Sequence, residues 1–324
     1  MNDTENNHVL VWPQLGMLGG ILLLIFAIGY LPTLLPEPER LPTTNIAVIN
    51  TEEHVVTPAD AEIEDPFATV AIRGEAAFVW DVQAKRALYQ KNPDEELPLA
   101  SVTKLMTALI AHELLRGTES VPVTLSAIRQ DGVSNFVDGE TFTLQNLSDL
   151  TLISSSNDGA FAIATAVGSL LSEKDEAAAF VQAMNIRADE LGLQKTSFRN
   201  PTGLDISTTE AGAMGSARDM VFLMEYILEH EPNILANTTK PAMRFYNDSG
   251  AYHDVANTNA AIPDIAGLIG SKTGYTELAG GNLAIAFDAA PNRPIIVVVL
   301  GSTRSERFSD VVTLSDAARL SINK

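Results

Sequence analysis

Three short polar strings along this chain lie in three different kinds of predicted local structure. The first, Ser101-Val-Thr-Lys104, begins a stretch with helical periodicity, and the second, Ser155-Ser-Asn157, lies between two further helical stretches. The third, Lys272-Thr-Gly274, opens a strand-rich C-terminal region. Each string is short enough to occur by chance. A shared site would require a fold that brings a helix start, a helix joint and a strand together.

The first string predicts a helix over residues 101–116, with Gly117 as its stop. Ser101 then lies in the first turn, where backbone N–H groups lack partners, and the side chain of Lys104 can reach its hydroxyl. A lysine whose pKa is lowered by burial and nearby cations can accept the serine proton. The alternative is that Ser101 caps the helix and Lys104 is solvated.

The second string interrupts a helical region. Apolar positions predict one helix before it and another after it, namely Leu147, Leu150 and Ile153, then Phe161, Ile163, Ala164 and Val167. Ser155 and Asn157 therefore lie where two helices meet, which places polar side chains at the joint. The alternative is an ordinary inter-helix turn capped by Ser156 or Asn157.

The third string precedes two apolar runs, Asn282–Phe287 and Ile295–Leu300, which are separated by turn residues. The pattern predicts an antiparallel meander with Lys272 near a strand edge. Lys272 and Thr273 can bind a carboxylate there, and Gly274 permits close approach of a ligand to the backbone. The alternative is an ordinary hairpin lysine.

The fold class that these patterns predict is α+β. Ala77–Asp81 and Arg86–Tyr89 indicate a hairpin, which would join the C-terminal meander in one antiparallel sheet built from both chain ends. Helices between Ser101 and His230 would form a subdomain beside the sheet, with the active site at the junction.

In this order the strings resemble the active-site motifs of the penicillin-binding-protein and serine β-lactamase superfamily. Further segments are similar to the low-molecular-mass D-alanyl-D-alanine carboxypeptidases, namely Leu99–Ala108, Phe198–Asp205, Ser216–Met220 and Lys272–Thr276. The likeness extends from Phe67 to the C-terminus and implies a β-lactamase/transpeptidase-like fold. Ser156 departs from the family pattern, which usually has Gly at this position.

The resemblance implies a serine-type carboxypeptidase acting on peptidoglycan stem peptides that end in D-Ala-D-Ala. Ser101 would attack the carbonyl between the two D-alanines, Lys104 would accept its proton, and Ser155 would pass it to the leaving D-alanine. Water would then hydrolyse the acyl-enzyme. No cofactor or metal is implied, and β-lactam antibiotics would be covalent inhibitors.

The resemblance also assigns binding roles. Asn157 would hold a substrate carbonyl, and the backbone N–H groups of Ser101 and Tyr275 would form the oxyanion hole. The terminal carboxylate would be bound by Lys272, Thr273 and Arg307, beside Gly274, with Arg304 close enough to compete for this role. Two alternatives use the same residues: an endopeptidase that cuts cross-links, and a non-hydrolytic penicillin-binding sensor.

Other chemistries lack their sequence signals. The chain has no cysteine, no H-E-x-x-H zinc motif and no G-x-S-x-G elbow. Glu231-Pro-Asn-Ile-Leu-Ala-Asn237 resembles the deacylating loop of class A β-lactamases. It lies too far after Asn157 and too near Lys272 for that loop, and it more simply ends a helix over Met220–His230.

A net charge of −20 disfavours nucleic acid as a partner.

The N-terminal region predicts a membrane anchor. Residues 9–35 carry no charge and are long enough to cross a bilayer, which needs roughly 20 apolar residues. Residues 1–8 would be a cytoplasmic tail, 36–64 a Pro-rich linker, and 65–324 a catalytic domain outside the cell membrane. A cleaved signal peptide is the alternative, although the first Lys or Arg is Arg40 and a basic n-region is missing.

Overall fold

An antiparallel sheet with strands from both ends of the described chain organises the structure, a computed structural model that describes residues 65–131 and 135–322. The strands are β1 (Ala76–Asp81), β2 (Arg86–Lys91), β3 (Leu97–Pro98), β4 (Ser120–Pro122), β5 (Thr141–Thr143), β6 (Ser197–Phe198), β7 (Ala213–Gly215), β8 (Ala242–Tyr246), β9 (Tyr252–Ala256), β10 (Leu268–Thr276), β11 (Gly280–Ala290) and β12 (Arg293–Ser302). The helices are α1 (Lys104–Leu114), α2 (Leu144–Ser154), α3 (Asn157–Gly168), α4 (Glu176–Glu190), α5 (Ala217–His230), α6 (Asn233–Ala236) and α7 (Glu306–Ile322).

The five-stranded sheet has the order β10-β11-β12-β1-β2 with all neighbours antiparallel. The N-terminal hairpin joins the C-terminal meander through β1 and β12, from the pair Ala76 and Leu300 to the pair Asp81 and Ile295. The prediction of an α+β fold with one antiparallel sheet built from both chain ends is confirmed. This strand order leaves β10, the strand that carries Lys272, at one edge of the sheet.

Alternation along the strands builds two cores. One face of β12 buries Ile296, Val298 and Leu300 against the helical region, and the other buries Ile295, Val297 and Val299 beneath α7. Successive side chains of a strand point to opposite faces, so a strand covered on both faces is apolar at every position. This is why β11 and β12 are continuous apolar runs in the sequence.

Four of the helices described between the two ends of the sheet begin at side-chain caps. The hydroxyl of Ser156 accepts from the N–H of Gly159 at the start of α3, and Thr143, Asp175 and Ser216 cap α2, α4 and α5 in the same way. Such caps satisfy N–H groups that have no partner within the helix. The predicted helical subdomain is confirmed, and the joint between α2 and α3 falls at Ser155-Ser156.

The structure corrects the start of the first predicted helix. Ser101 lies in a 3₁₀ turn, Ala100–Thr103, and the α-helix runs from Lys104 to Leu114 rather than over residues 101–116. Ala100 enters the turn with φ of 46°, a left-handed conformation that an α-helix does not contain. Side chains three apart eclipse one another in a 3₁₀ turn, which aligns Ser101 with Lys104.

The predicted tail, anchor and linker, residues 1–64, lie outside the described residues, and their assignment stays a prediction. Within residues 65–131 and 135–322, no helix has both the length and the apolar character needed to cross a membrane. The described residues, 65–131 and 135–322, belong to one structural unit.

Asn282 joins the sheet to the segment that leads into the Ser101 turn. Its side chain is fully buried, donates to the Pro98 carbonyl at 2.9 Å and accepts from the Gly301 N–H at 2.9 Å. We predict that Asn282→Ala lowers the free energy of unfolding by about 2–4 kcal/mol, because both groups lose their partner in a buried setting. Urea unfolding measures this, with the exposed Asn233→Ala as control. A loss no larger than that of the control would contradict the prediction.

Candidate active site

The first predicted pair is in contact. The Nζ atom of Lys104 lies 2.9 Å from the Oγ atom of Ser101, 2.7 Å from the Oδ1 atom of Asn157 and 2.7 Å from the carbonyl oxygen of Thr202. A neutral amine has two N–H donors and one lone pair. It can donate to the two carbonyl oxygens, of Asn157 and Thr202, and accept the hydroxyl proton of Ser101, which is the arrangement required of a base acting on that hydroxyl.

The electrostatic setting favours the neutral form of Lys104. The side chain is fully buried, and burial lowers its pKa well below the usual lysine range, with a further lowering from the nearby charge of Lys272. The alternative that Lys104 is a solvated first-turn residue is therefore wrong.

A loop before β7 holds the third partner of Lys104. The Oδ1 atom of Asn200 accepts from the N–H and the hydroxyl of Thr202 and from the N–H of Gly203, at 2.7–3.1 Å. Gly203 has φ of 78°, and a Cβ there would lie 1.8 Å from the carbonyl oxygen of Ala100, so glycine is required. The loop is thereby fixed against the Ser101 turn, which directs the Thr202 carbonyl at Lys104.

Ser155 ends α2 in a left-handed conformation, with φ of 62° and ψ of 32°. This backbone is unfavourable for a residue with a Cβ, by roughly 1–2 kcal/mol. Ser156 next to it caps α3, so the capping alternative for this string is confirmed for Ser156. The capping role of Ser156 does not exclude a chemical role for Ser155 and Asn157. Asn157 contacts Lys104, and Ser155 contacts Lys272.

Lys272 is the second buried lysine, with 1% of its surface exposed. Its Nζ atom donates to the Oγ atom of Ser155 at 3.0 Å and to the carbonyl oxygen of Thr273 at 2.9 Å. Burial, and then the charge of Arg307, lower the pKa of Lys272 to about 7. At neutral pH this site can therefore gain a proton when an anion binds beside it.

Arg307 lies on α7 and is 7% exposed. Its guanidinium donates to the carbonyl oxygen of Gly274 at 2.5 Å, and its pKa is lowered to about 10 by burial and by the charge of Arg304. Arg304 instead stacks over the ring of Tyr275, with its guanidinium carbon 5.1 Å from the ring centroid. The structure therefore brings Arg307, not Arg304, into contact with the backbone of β10.

The open edge of β10 faces the Ser101 turn. A Cβ at Gly274 would lie 2.9 Å from the Leu99 carbonyl oxygen and 3.2 Å from the Ser101 nitrogen, so glycine allows this approach. The N–H of Ser271 donates outside the sheet, to the hydroxyl of Thr238 at 2.9 Å. Alternate residues of a strand direct their N–H groups the same way, so that of Tyr275 also points to the open edge.

Thr273 has a partner that the sequence patterns did not indicate. Its hydroxyl lies 2.5 Å from the hydroxyl of Thr258, in the segment after β9. Neither Thr258 nor the Asn200–Thr202 loop was assigned a role at the site. Two signals were available for the loop, its turn-forming Asn-Pro-Thr-Gly composition and its place in the family-like segment Phe198–Asp205, and Thr258 had none.

No group of three or more His, Cys, Asp or Glu side chains that could hold a metal ion occurs among residues 65–131 and 135–322. The ionisable side chains that the structure brings together at the site are all basic: Lys104, Lys272 and Arg307. Such a cluster suits an anionic ligand and a serine nucleophile with a lysine base.

Comparison with known proteins identifies relatives of this chain. Residues 61–304 match the family model described as D-alanyl-D-alanine carboxypeptidase. The chain is 33% identical over 256 residues to the D-alanyl-D-alanine carboxypeptidase DacF of Bacillus subtilis, an alignment that covers 77% of this chain and 63% of that protein. It is 30% identical over 250 residues to the D-alanyl-D-alanine endopeptidase of Pseudomonas aeruginosa, covering 76% and 75%. The chain thus spans less than two thirds of the length of the Bacillus relative.

Solved structures with the same fold include Penicillin-Binding Protein D2 from Listeria monocytogenes in its ampicillin-bound form. The TM-score is 0.61 at 30% identity, covering 76% of this chain and 97% of that one. A D-alanyl-D-alanine carboxypeptidase from Mycobacterium tuberculosis gives a TM-score of 0.67, covering 78% and 94%, and at 23% identity it supports the fold alone.

The strained backbone of Ser155 gives a testable difference between two substitutions. Ser155→Gly and Ser155→Ala both remove the hydroxyl that Lys272 contacts, but only alanine retains a Cβ in the left-handed conformation. We predict that Ser155→Gly is the more stable variant, by on the order of 1 kcal/mol, measured by urea unfolding. Equal stability of the two variants would show that the backbone at this position is not strained.

Proposed function

The chain belongs to the D-alanyl-D-alanine carboxypeptidase family of serine peptidases, and on that basis we propose that it removes the terminal D-alanine from peptidoglycan stem peptides. The observation that carries this proposal is the contact of Ser101 with a fully buried lysine whose pKa is lowered. A serine hydroxyl becomes an effective nucleophile when a base beside it is neutral.

The first half of the reaction forms an acyl-enzyme. The neutral amine of Lys104 takes the hydroxyl proton as the Oγ atom of Ser101 attacks the carbonyl between the two D-alanines. The N–H groups of Ser101 and Tyr275 donate to the oxygen that becomes negative, where one such donor typically contributes about a hundredfold or more in rate. Asn157 holds a carbonyl of the substrate with its amide.

Collapse of the tetrahedral intermediate breaks the amide bond. Ser155, which Lys272 contacts at 3.0 Å, passes the proton to the leaving nitrogen, and free D-alanine departs. Water then attacks the ester at Ser101, with Lys104 again accepting a proton, and the shortened peptide is released. Lys104 returns to its neutral form in each half: its first proton reaches the leaving nitrogen through Ser155, and the proton taken from water passes to the departing Oγ atom of Ser101.

Recognition of a chain end requires a site for the terminal carboxylate. Lys272, Thr273 and Arg307 supply it, with the Arg307 guanidinium held by the Gly274 carbonyl. A carboxylate beside Lys272 favours its charged form, and this offsets the lowering of its pKa to about 7 by burial and by Arg307. Substrate binding therefore places on Lys272 the charge that the empty site disfavours.

A DD-endopeptidase is the second candidate, because relatives from Pseudomonas aeruginosa and Escherichia coli carry that name. It would use the same serine and lysine, but the leaving amine would belong to a cross-linked peptide rather than to free D-alanine. Arg307 and Lys272 can bind a free terminal carboxylate, which a carboxypeptidase must recognise and an endopeptidase need not. Their presence at the site favours the carboxypeptidase.

Penicillin-Binding Protein D2 from Listeria monocytogenes has been solved in ampicillin-bound and cefotaxime-bound forms, and we expect β-lactams to acylate Ser101 here. The uncharged run over residues 9–35 supports a single-pass anchor in the cell membrane, with the catalytic domain on the side of the cell wall.

Release of D-alanine tests the proposed function. The purified protein is incubated with a stem peptide ending in D-Ala-D-Ala, and free D-alanine is measured for the wild type, for Ser101→Ala and for the exposed control Ser169→Ala. We expect release by the wild type and the control and none by Ser101→Ala, because the nucleophile is absent. Ser101 that is labelled by penicillin without any release of D-alanine would contradict the carboxypeptidase and favour the endopeptidase or a non-hydrolytic sensor.

A further inference from the structure

A pocket of about 400 Å³ lies along the free edge of β9. One wall is the whole of that strand, Tyr252–Ala256, and the other comes from Leu150 and Ser154 of α2. No residue of β8 lines it, so the pocket lies on the side of β9 that faces away from its partner strand. The volume falls in the range of sites for small ligands, roughly 300–1,000 Å³.

The backbone of β9 directs alternate peptide groups toward this pocket. The N–H of Asn257 donates to the carbonyl oxygen of Pro241, next to β8, at 2.8 Å, so the odd-numbered residues of β9 are those bonded to β8. The even-numbered residues, Tyr252, Asp254 and Ala256, therefore direct their N–H and C=O groups outward. Among the residues that the structure describes, no third strand pairs with this edge.

The free edge ends beside the catalytic residues. Thr258, just after β9, directs its N–H the same way and donates to the Ile153 carbonyl of α2 at 3.1 Å. The hydroxyl of Thr258 contacts that of Thr273, and Ser154 in the pocket wall directly precedes Ser155. Because α2 closes the edge at Thr258, a long extended peptide cannot pair along it. The pocket suits a compact ligand next to the active site.

Both side chains of the pocket that can carry charge at neutral pH already have a partner. The carboxylate of Asp254 accepts from the guanidinium of Arg244 at 2.7 and 2.8 Å, and the ring of His253 contacts the carboxylate of Glu140 at 3.0 Å. A charged ligand would find no free counter-charge here. The pocket therefore favours a neutral polar ligand.

Tyr252 adds an exposed aromatic surface to the pocket. The guanidinium carbon of Arg244 lies 3.9 Å from the ring centroid, so it covers one face of the ring and leaves the other open. Tyr246 lies directly opposite on β8 and is equally exposed, at 53% against 54%, but does not line the pocket. A tyrosine ring has an apolar body and a polar tip, which suits the apolar face and polar rim of a sugar ring.

We propose that this pocket binds an N-acetylated sugar of the wall glycan. The sugar ring packs on Tyr252, the acetamido N–H donates to an outward carbonyl of β9, and the acetamido oxygen accepts from an outward N–H. The hydroxyl of Ser154 donates to the Leu150 carbonyl at 2.7 Å and keeps lone pairs that can accept from a sugar hydroxyl. The site lies beyond the proposed function: the choice of a wall glycan rests on that function, but sugar binding itself does not.

Two oligosaccharides test the pocket in the purified protein. Chitotetraose carries an acetamido group on each ring, and cellotetraose is the same chain without these groups. We expect calorimetry to show roughly tenfold tighter binding of chitotetraose, because only the acetamido group can pair with the strand edge. Equal binding of the two sugars, or no binding of either, would overturn the proposal. Binding of an extended peptide in place of the sugar would overturn it as well.

A pair of tyrosine variants locates the bound sugar. Tyr252→Ala should weaken chitotetraose binding roughly fivefold to tenfold, whereas the matched control Tyr246→Ala should bind as the wild type does. Ala256→Leu should also weaken binding, because the larger side chain fills part of the pocket. Ala256 is exposed, so this variant should fold, which thermal unfolding checks. An equal loss in both tyrosine variants, or wild-type binding by Tyr252→Ala and Ala256→Leu, would contradict the pocket assignment.

Release of D-alanine from two substrates connects the pocket to the wall. The substrates are intact peptidoglycan and a soluble peptide that carries no sugar. In Tyr252→Ala the ratio of the first rate to the second should fall roughly threefold to tenfold relative to Tyr246→Ala, and an unchanged ratio would overturn the glycan assignment. Chitotetraose binding without any release of D-alanine would support the pocket and count against the carboxypeptidase. Release without sugar binding would do the reverse.

Discussion

The burial of two lysines at the junction of the sheet and the helices is the constraint on which this site depends. A buried ammonium is expensive unless polar partners surround it. Here Asn157 and the Thr202 carbonyl surround Lys104, and Ser155 and the Thr273 carbonyl surround Lys272. Because these partners are mostly neutral oxygens rather than carboxylates, they solvate the amines without fixing their positive charge. The lysines therefore keep low pKa values, and Lys104 can act as a base.

Holding these groups together needs close backbone contact at a few positions. Gly203 lies against Ala100, and Gly274 lies against Leu99 and Ser101, so the turn that presents the nucleophile is held between a loop and a strand edge. Ser155 occupies a left-handed conformation that most residues avoid. The surrounding packing must stabilise these features, which is consistent with the fully buried apolar residues of β11, next to β10, and of α1.

Much of the fold and most of the site residues could be predicted from local pattern. The apolar runs of β11 and β12, the N-terminal hairpin and the break between α2 and α3 all leave a signal in residue type. The 3₁₀ turn at Ser101 leaves none, because it depends on the left-handed backbone of Ala100 and its contact with Gly203. Acceptors such as the Thr202 carbonyl are equally invisible, since any residue provides a backbone oxygen. The long C-terminal helix α7 was also not predicted, although Arg307 was.

The pH dependence of acylation tests the central claim, that Lys104 is a neutral base because of burial and the charge of Lys272. The second-order rate of penicillin acylation at Ser101 should rise with pH as Lys104 loses its proton, with a midpoint well below the usual lysine range. In Lys272→Gln the midpoint should move to higher pH, because one of the two causes of the lowered pKa is removed. A midpoint near the ordinary lysine value in the wild type, or an unchanged midpoint in Lys272→Gln, would contradict the account.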